Sequence, residues 1–255
     1  MVIVFLWLAG IQHVFAQKAD KNLFNHVALG LSTGTDGLIG FDVAMPIGNY
    51  VQMRLGMSLW PGIKYKTDVN YKDGNGNDGK VKVEGKLSKA DFKFLFDVFP
   101  FKKSSFHVTA GAFIGGRKVV TVKNLEPIPE ADNGTAGIEI GDYFISTDKN
   151  GYTDASIKVN AFKPYVGFGF GRSVPQKHRF AVTCDFGVQF WASPKVYAKE
   201  YGTDYDFYTG EPYPVIREVR VTSSDVGDKD SGALKTISKI SVWPVLNIRF
   251  CGRIL

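Results

Sequence analysis

Val51, Met53, Leu55, Met57 and Leu59 are large and apolar, and Gln52, Arg54, Gly56 and Ser58 fill every gap between them. Successive side chains on a β-strand point to opposite faces, so this segment carries one apolar wall and one polar wall. Tyr50 and Trp60 place an aromatic at each end. The segment matches the roughly 9–11 residues that a tilted strand needs to cross the hydrocarbon core of a bilayer.

The rhythm recurs and predicts about eight strands. His26 to Thr33 is the first, turned by the Gly- and Thr-rich stretch that ends at Gly37. Leu38 to Met45 follows, with Ile39, Phe41, Val43 and Met45 opposite Gly40, Asp42 and Ala44. Pro46-Ile47-Gly48-Asn49 turns the chain into the Val51–Leu59 strand. The fourth strand sets Phe92, Phe94, Phe96 and Val98 against Asp91, Lys93 and Asp97. The fifth sets Phe106, Val108, Ala110, Ala112 and Ile114 against His107, Thr109 and Gly111. In the sixth, Val166, Phe168 and Phe170 alternate with Gly167, Gly169 and Gly171. The seventh sets Phe180, Val182, Cys184, Phe186, Val188 and Phe190 against Thr183, Asp185, Gly187 and Gln189. The last carries Ile240, Val242, Leu246, Ile248 and Phe250 opposite Asn247 and Arg249. Pro244 cannot donate to a ladder, which predicts a bulge there that turns Trp243 outward. Trp60 and Trp191 fall on the polar face by parity, near strand ends where interfacial aromatics belong.

The connections alternate in length. Those after strands two, four and six are short, whereas Pro61–Leu87, Gly116–Ala161 and Ala192–Leu234 are long, polar and rich in turn formers. In a meander, alternate connections share one end, so the long ones lie together. Short periplasmic turns and long external loops mark outer-membrane barrels. The expected fold is therefore all-β: a single antiparallel up-and-down transmembrane β-barrel of about eight strands, with extracellular loops on one side. A soluble, lipocalin-like binding barrel shows the same alternation with its faces exchanged. The polar face decides between them: Gly, Ala, Ser and Thr with a few charges suit a narrow filled lumen, and Gly on a solvated face only weakens a strand.

Composition adds little to this picture. The chain has 255 residues without a linker-like stretch, with 28 Gly and 20 Phe that suit close-packed strands and an aromatic outer wall. Its net charge of +6 is scattered, without the clustering of a nucleic-acid footprint, so no nucleic acid is expected as a partner. Val2 to Val14 is an apolar run too short for a comfortable helical span, and Val14-Phe15-Ala16 before Gln17 fits a signal-peptidase site. Residues 1–16 are expected to be a cleaved signal peptide and 17–255 the barrel domain. No Lys or Arg precedes the run, so the N-terminal amine supplies the positive end if Met1 is the start. Cys184 and Cys251 fall on opposite strand faces and are expected to be unpaired.

With the strands placed, the chain resembles the small outer-membrane β-barrel proteins of the OmpX and OmpA-barrel kind. The resemblance rests on the leader, the eight-strand rhythm and the closing run from Asn247 to Leu255. It implies location in the bacterial outer membrane, contact with its lipid and lipopolysaccharide, insertion by the barrel-assembly machinery, and a monomer. Family members usually end in an aromatic; here the last residue is Leu255 and the nearest aromatic is Phe250. No peptidoglycan-binding domain follows the barrel, so the resemblance implies no cell-wall tether.

Candidate chemistry is sparse. His26, His107 and His178 stand in no nucleophile motif and at no metal-ligand spacing, so no catalytic site and no enzyme is expected. A lipid-A-modifying enzyme of this architecture would need its Ser/His site on the lipid side, and parity puts His107 in the lumen. Asp73, Asn75, Asn77 and Glu84 echo a calcium loop in spacing, but Asp78 occupies the place of the turn Gly, and loop-tip chemistry explains the run equally; no cofactor is expected beyond that echo.

The lumen side chains are better placed. Asp42, Arg54, Asp91, Lys93, Asp97, His107, Asp185 and Arg249 are expected to form a charge network, because buried charges must be paired. Asp42 and Arg54 should be direct cross-strand neighbours, and Asp97 and His107 nearly so. The membrane-facing set is expected to include Val51, Met53, Leu55, Met57, Leu59, Phe92, Phe94, Phe96, Phe168, Phe170, Phe186, Ile248 and Phe250. A filled barrel leaves recognition to its loops, whose tyrosines (Tyr197, Tyr201, Tyr205, Tyr208 and Tyr213) suit contact with an extracellular macromolecule. The competing expectation is a small pore, or passage of a hydrophobic compound through a wall gap at Gly167, Gly169 and Gly171.

Overall fold

The computed structural model describes residues 26–101, 104–131, 136–140, 143–176, 178–221, 239 and 241–254. The expected signal peptide, Ile240 and Leu255 lie outside these residues. Fourteen strands form one antiparallel sheet among them. The first five are β1 (Ala28–Gly34), β2 (Ile39–Pro46), β3 (Val51–Lys72), β4 (Asp78–Val98) and β5 (Phe106–Gly115). Then come β6 (Lys118–Asn124), β7 (Gly137–Ile140), β8 (Tyr143–Ser146), β9 (Asp154–Lys158) and β10 (Phe162–Phe170). The last four are β11 (Phe180–Phe190), β12 (Lys195–Tyr205), β13 (Pro212–Val221) and β14 (Val242–Arg253).

Eight of these close into a ring: β1, β2, β3, β4, β5, β10, β11, β14 and back to β1. A line perpendicular to the strands runs from Ala28 through Ala44, Arg54, Leu95, Gly111, Tyr165 and Gln189 to Trp243. The β14–β1 register carries that line back to the level of Leu38, a stagger of about ten residues, as closure of tilted strands requires. An eight-stranded ring of this kind has an interior that side chains fill.

Alternation sets the faces as the sequence predicts. On β2, Gly40, Asp42 and Ala44 are buried while Ile39 and Phe41 are exposed. On β14, Asn247, Arg249 and Cys251 are buried between exposed Leu246, Ile248 and Phe250. The glycines on the inner face make room: a Cβ at Gly30 would strike the guanidinium of Arg249. Gly167 and Gly187 likewise leave space for the Tyr165 side chain. The wall at Gly167 and Gly169 has no gap, since β10 is paired without interruption to β5 and to β11.

Two expectations are corrected here. Pro244 makes no bulge; the β11–β14 register is continuous from Phe180↔Gly252 to Phe190↔Val242, and Trp243 stays on the inner face. At Pro244 the β1 partner has already ended, so β14 is paired on one side only and a missing N–H is tolerated. The second correction concerns the long connections, which are largely strands. β3 and β4 continue past an irregularity at Trp60/Ile63 as one hairpin closed by a turn at 73–77. β6, β9, β12 and β13 add to β4 in that order, and β7–β8 add to β3. This crown has its own core. Val81, Val83, Ile128, Ala131, Ala136 and Ile138 form one cluster, and Ile145, Ala198 and Val221 another.

Candidate functional site in the barrel lumen

The barrel has a base, where the short turns and both described termini lie, and a far end that carries the crown. Between them the inner strand faces and the β1–β2 turn bury five aspartates (Asp36, Asp42, Asp91, Asp97 and Asp185) and five cations (Arg54, Lys89, Lys93, Lys163 and Arg249). The balance is what a low-dielectric interior demands of charges that water does not reach.

Two linked clusters fill the middle. Arg249 Nε donates to Asp42 Oδ1 at 2.8 Å and its Nη2 to the same oxygen at 2.5 Å, while Lys93 Nζ lies 3.1 Å from Asp42 Oδ2. Arg54 spans two carboxylates, with Nη2 at 2.7 Å from Asp97 and Nη1 at 2.7 Å from Asp185. Thr109 Oγ1 donates to Asp97 at 2.8 Å, and His107 Nε2 is 2.8 Å from Asp185 Oδ1. Nearer the crown, Asp91 takes Lys163 at 2.6 Å and Lys89 at 3.0 Å. Asp36 accepts from Asn247 Nδ2 at 2.7 Å.

Side chains and backbone meet across both ends of the lumen. At the base, the turn after β10 folds inward, and Ser173 and Val174 are buried. Ser173 Oγ donates to Asp97, its carbonyl accepts from Arg249 Nη1 at 3.1 Å, and Val174 N donates to Gln52 Oε1 at 3.0 Å. At the crown end, Trp191 and Trp243 stack with ring centroids 4.6 Å apart and planes 4° from parallel. Trp243 Nε1 donates to the Thr35 carbonyl at 2.9 Å, and Trp60 Nε1 reaches the same oxygen at 3.4 Å. Lys89 Nζ lies 5.3 Å from the centre of the Trp191 ring.

All eight residues predicted for the lumen network are buried there: Asp42, Arg54, Asp91, Lys93, Asp97, His107, Asp185 and Arg249. Their partners differ from expectation. Asp42 pairs in register with Gly56, and Arg54 with Ala44, so the two are not direct neighbours. The turn is centred on Asn49, with Ile47 N donating to the Val51 carbonyl, whereas pairing Asp42 with Arg54 would centre it on Gly48; moving the centre by one residue shifts the register by two. Asp97 sits opposite Thr109, and His107 turns to Asp185 instead.

Parity, extended two inner positions back from Gly167 along β10, reaches Lys163; Pro164 hid it by looking like a strand break. Lys89 falls between the loop reading, which ends at Leu87, and the polar set of the fourth strand, which begins at Asp91; the same parity taken one inner position before Asp91 reaches it. Nothing local in the sequence signals that Ser173 folds inward.

The outward positions Val51, Met53, Leu55, Met57, Leu59, Phe92, Phe94, Phe96, Phe168, Phe170, Phe186, Ile248 and Phe250 lie on the outer wall, exposed or half-buried. Phe180 is 73% exposed, Leu31 64% and Phe250 63%, against 0% for Asp97, His107 and Arg249. Asp73, Asn75 and Asn77 share one turn, where Asp73 Oδ1 accepts from the backbone of Asn75 at 2.9 Å and of Asn77 at 2.8 Å. Glu84 lies apart on β4, 3.0 Å from Lys64. Among the described residues no group of three His, Cys, Asp or Glu is placed to hold a metal ion. Cys184 and Cys251 are both free thiols.

Of the crown tyrosines, Tyr197 and Tyr201 are half-buried, while Tyr205, Tyr208 and Tyr213 are exposed. Tyr197 faces Lys158, whose Nζ is 4.5 Å from its ring centre. At the β12–β13 tip, Phe207 and Tyr208 are each 92% exposed and meet edge to face.

No family model matches the sequence, and no curated protein matches it. Among solved structures, the chain is similar to Acinetobacter baumannii CarO, with 16% identity and a TM-score of 0.49 over 91% of this chain and 99% of that one. It is also similar to Acinetobacter baumannii CarO2, with 18% identity and a TM-score of 0.46 over 89% of this chain and 98% of that one.

Proposed function

We propose that this chain is a monomeric integral outer-membrane barrel of a Gram-negative cell, a sealed scaffold that carries a recognition crown on the cell surface. One observation carries the membrane reading: the ring's faces are inverted relative to a soluble barrel. Ten charged side chains are buried inside, and exposed Leu, Ile, Val, Met and Phe cover all eight outer strand faces. A soluble monomer rarely exposes a contiguous apolar patch beyond a few hundred Å². In a bilayer the same belt is solvated by acyl chains, and ring closure leaves no strand edge unpaired there.

The lumen supports no passage, since the Ser173–Val174 turn and the Trp191–Trp243 stack close its two ends and paired charges occupy the space between. The reading assigns no reaction to the chain. Function then falls to the crown, whose ordered sheet holds Phe207 and Tyr208 out for contact with an extracellular macromolecule.

Folded in detergent, the protein is expected to migrate at different apparent masses on a gel with and without boiling. Reconstituted in planar bilayers, it is expected to give no stable, large conductance. Recovery as a soluble protein that needs no detergent would overturn the membrane reading. Sustained porin-sized channels would overturn the sealed lumen and leave the membrane reading standing.

A further inference from the structure

The outer face of the wall changes character above the apolar belt, and it does so on five neighbouring strands. On β4 the outward series Val98, Phe96, Phe94, Phe92 and Ala90 gives way to Lys86. On β3, Met57 and Leu59 are followed beyond the irregularity by Lys64. Ile114 on β5 leads to Lys118 at the start of β6, Lys158 at the end of β9 precedes Phe162 on β10, and Phe190 on β11 leads to Lys195 on β12.

These five lysines face one another in register: Lys64↔Lys86, Lys118↔Lys158 and Lys158↔Lys195. Like charges directly opposed across a strand pair repel. The positions between them in the lower rows are Thr121, Ser156 and Tyr197, none of them acidic.

The next row away from the belt is different. It reads Lys66, Glu84, Lys123, Asp154, Lys199 and Glu218 across the same strands, an unbroken alternation of sign. Asp154 is bridged there by Lys199 at 2.8 Å and by Lys123 at 3.5 Å. Lys64 and Lys158 borrow carboxylates from this row, Glu84 and Glu218 respectively. Lys86, Lys118 and Lys195 make no ion pair with a described residue. The distal row therefore neutralises itself, and the row against the belt is left basic.

Resting on the membrane reading, we infer that the band Lys64, Lys86, Lys118, Lys158 and Lys195 binds the phosphate groups of outer-leaflet lipid. Those phosphates lie where acyl chains end, which is the height at which the apolar face stops. Exposed ammonium groups bind phosphate as point charges, without demanding one geometry, which suits a mixed lipid surface.

The test uses the full chain folded in detergent, with bisphosphorylated lipid A and its dephosphorylated counterpart offered in equal amounts and retained lipid counted by native mass spectrometry. The wild type is expected to retain the phosphorylated form about tenfold more, a preference typical of several charge-assisted contacts. The variant K64Q/K86Q/K118Q/K195Q is expected to lose that preference. The variant K66Q/K80Q/K82Q/K123Q, which removes four exposed lysines further from the belt, is expected to keep it. Inorganic phosphate at millimolar concentration should not displace the lipid; displacement would mean a site for free anions and overturn the assignment to lipid. Equal retention of both lipids by wild type, or equal loss in the two variants, would also overturn it. The boiling shift on a gel separates the two claims: with the shift intact and no preference, only the phosphate band fails.

Discussion

Arg249 is fully buried and wraps Asp42 through two of its nitrogens while holding the Ser173 carbonyl with the third. Truncating one member of such a pair strands the other charge, a penalty of roughly 3–5 kcal/mol. Arg249→Met is therefore expected to lower the unfolding free energy of the detergent-folded barrel, measured by urea titration, by that amount. The double variant D42N/R249M is expected to recover a large part, because it removes both charges. A loss under about 1 kcal/mol for the single variant would show that Lys93 and water compensate Asp42 unaided. Strand parity made the lumen location of Arg249 and Asp42 legible in the sequence. Their partnership was not, because a pairing across β14, β1 and β2 depends on ring closure and on the register of β1 with both neighbours, which no local pattern fixes.

At the level of elements, the eight ring strands were readable because each carries its own alternation. The crown strands were not. β3 beyond Trp60 and β4 before Ala90 alternate Lys with Val or Tyr among Asn, Asp and Gly, which resembles a polar loop. What makes them strands is apolar cover from Ile128 and Ile138, supplied from a segment some fifty residues downstream and invisible to a local window.

The link between β9 and β12 gives this sheet a pH signature. Burial alone would raise the Asp154 carboxyl, but the hydrogen bond from Lys199 and the charges of Lys123 and Lys118 outweigh it and hold the pKa below the usual value. The same hydrogen bond raises Lys199. A depressed folded pKa means that the stabilisation is present above the ordinary aspartate value, about 3.9. It is lost as pH falls through the lower folded value. Amide protection in β9 and β12, taken relative to the intrinsic exchange rate at each pH, is expected to fall on acidification through that window, and D154N to lack that protection already at neutral pH. Identical protection of wild type and D154N at pH 7 would remove Asp154 from the stability of the sheet.

For the molecule as a whole, the question is whether barrel and crown are one cooperative unit. The ring registers below Trp60 and Lys89 are complete without any crown strand, since β3 pairs with β2 and β4 with β5 over that whole height. The crown's clusters around Ile128 and Ile145 contain no residue of the ring below that level. The exception is the cluster that joins Val119, Val159 and Trp191, with Trp243 packed against it, where the crown sits on the lumen's end.

Replacing 63–87, 118–159 and 193–240 with short turns is therefore expected to leave a barrel that still shifts on boiling. Its unfolding free energy should be lower by the few kcal/mol that the Trp191–Trp243 cap loses when its cover is removed. Surface recognition should vanish with the crown while the lumen stays closed at the base by Ser173 and Val174. A deletion variant that no longer folds in detergent would show that the crown is part of the barrel's folding unit. One that folds and matches wild type in adhesion, envelope integrity and phage sensitivity would take the recognition role away from the crown.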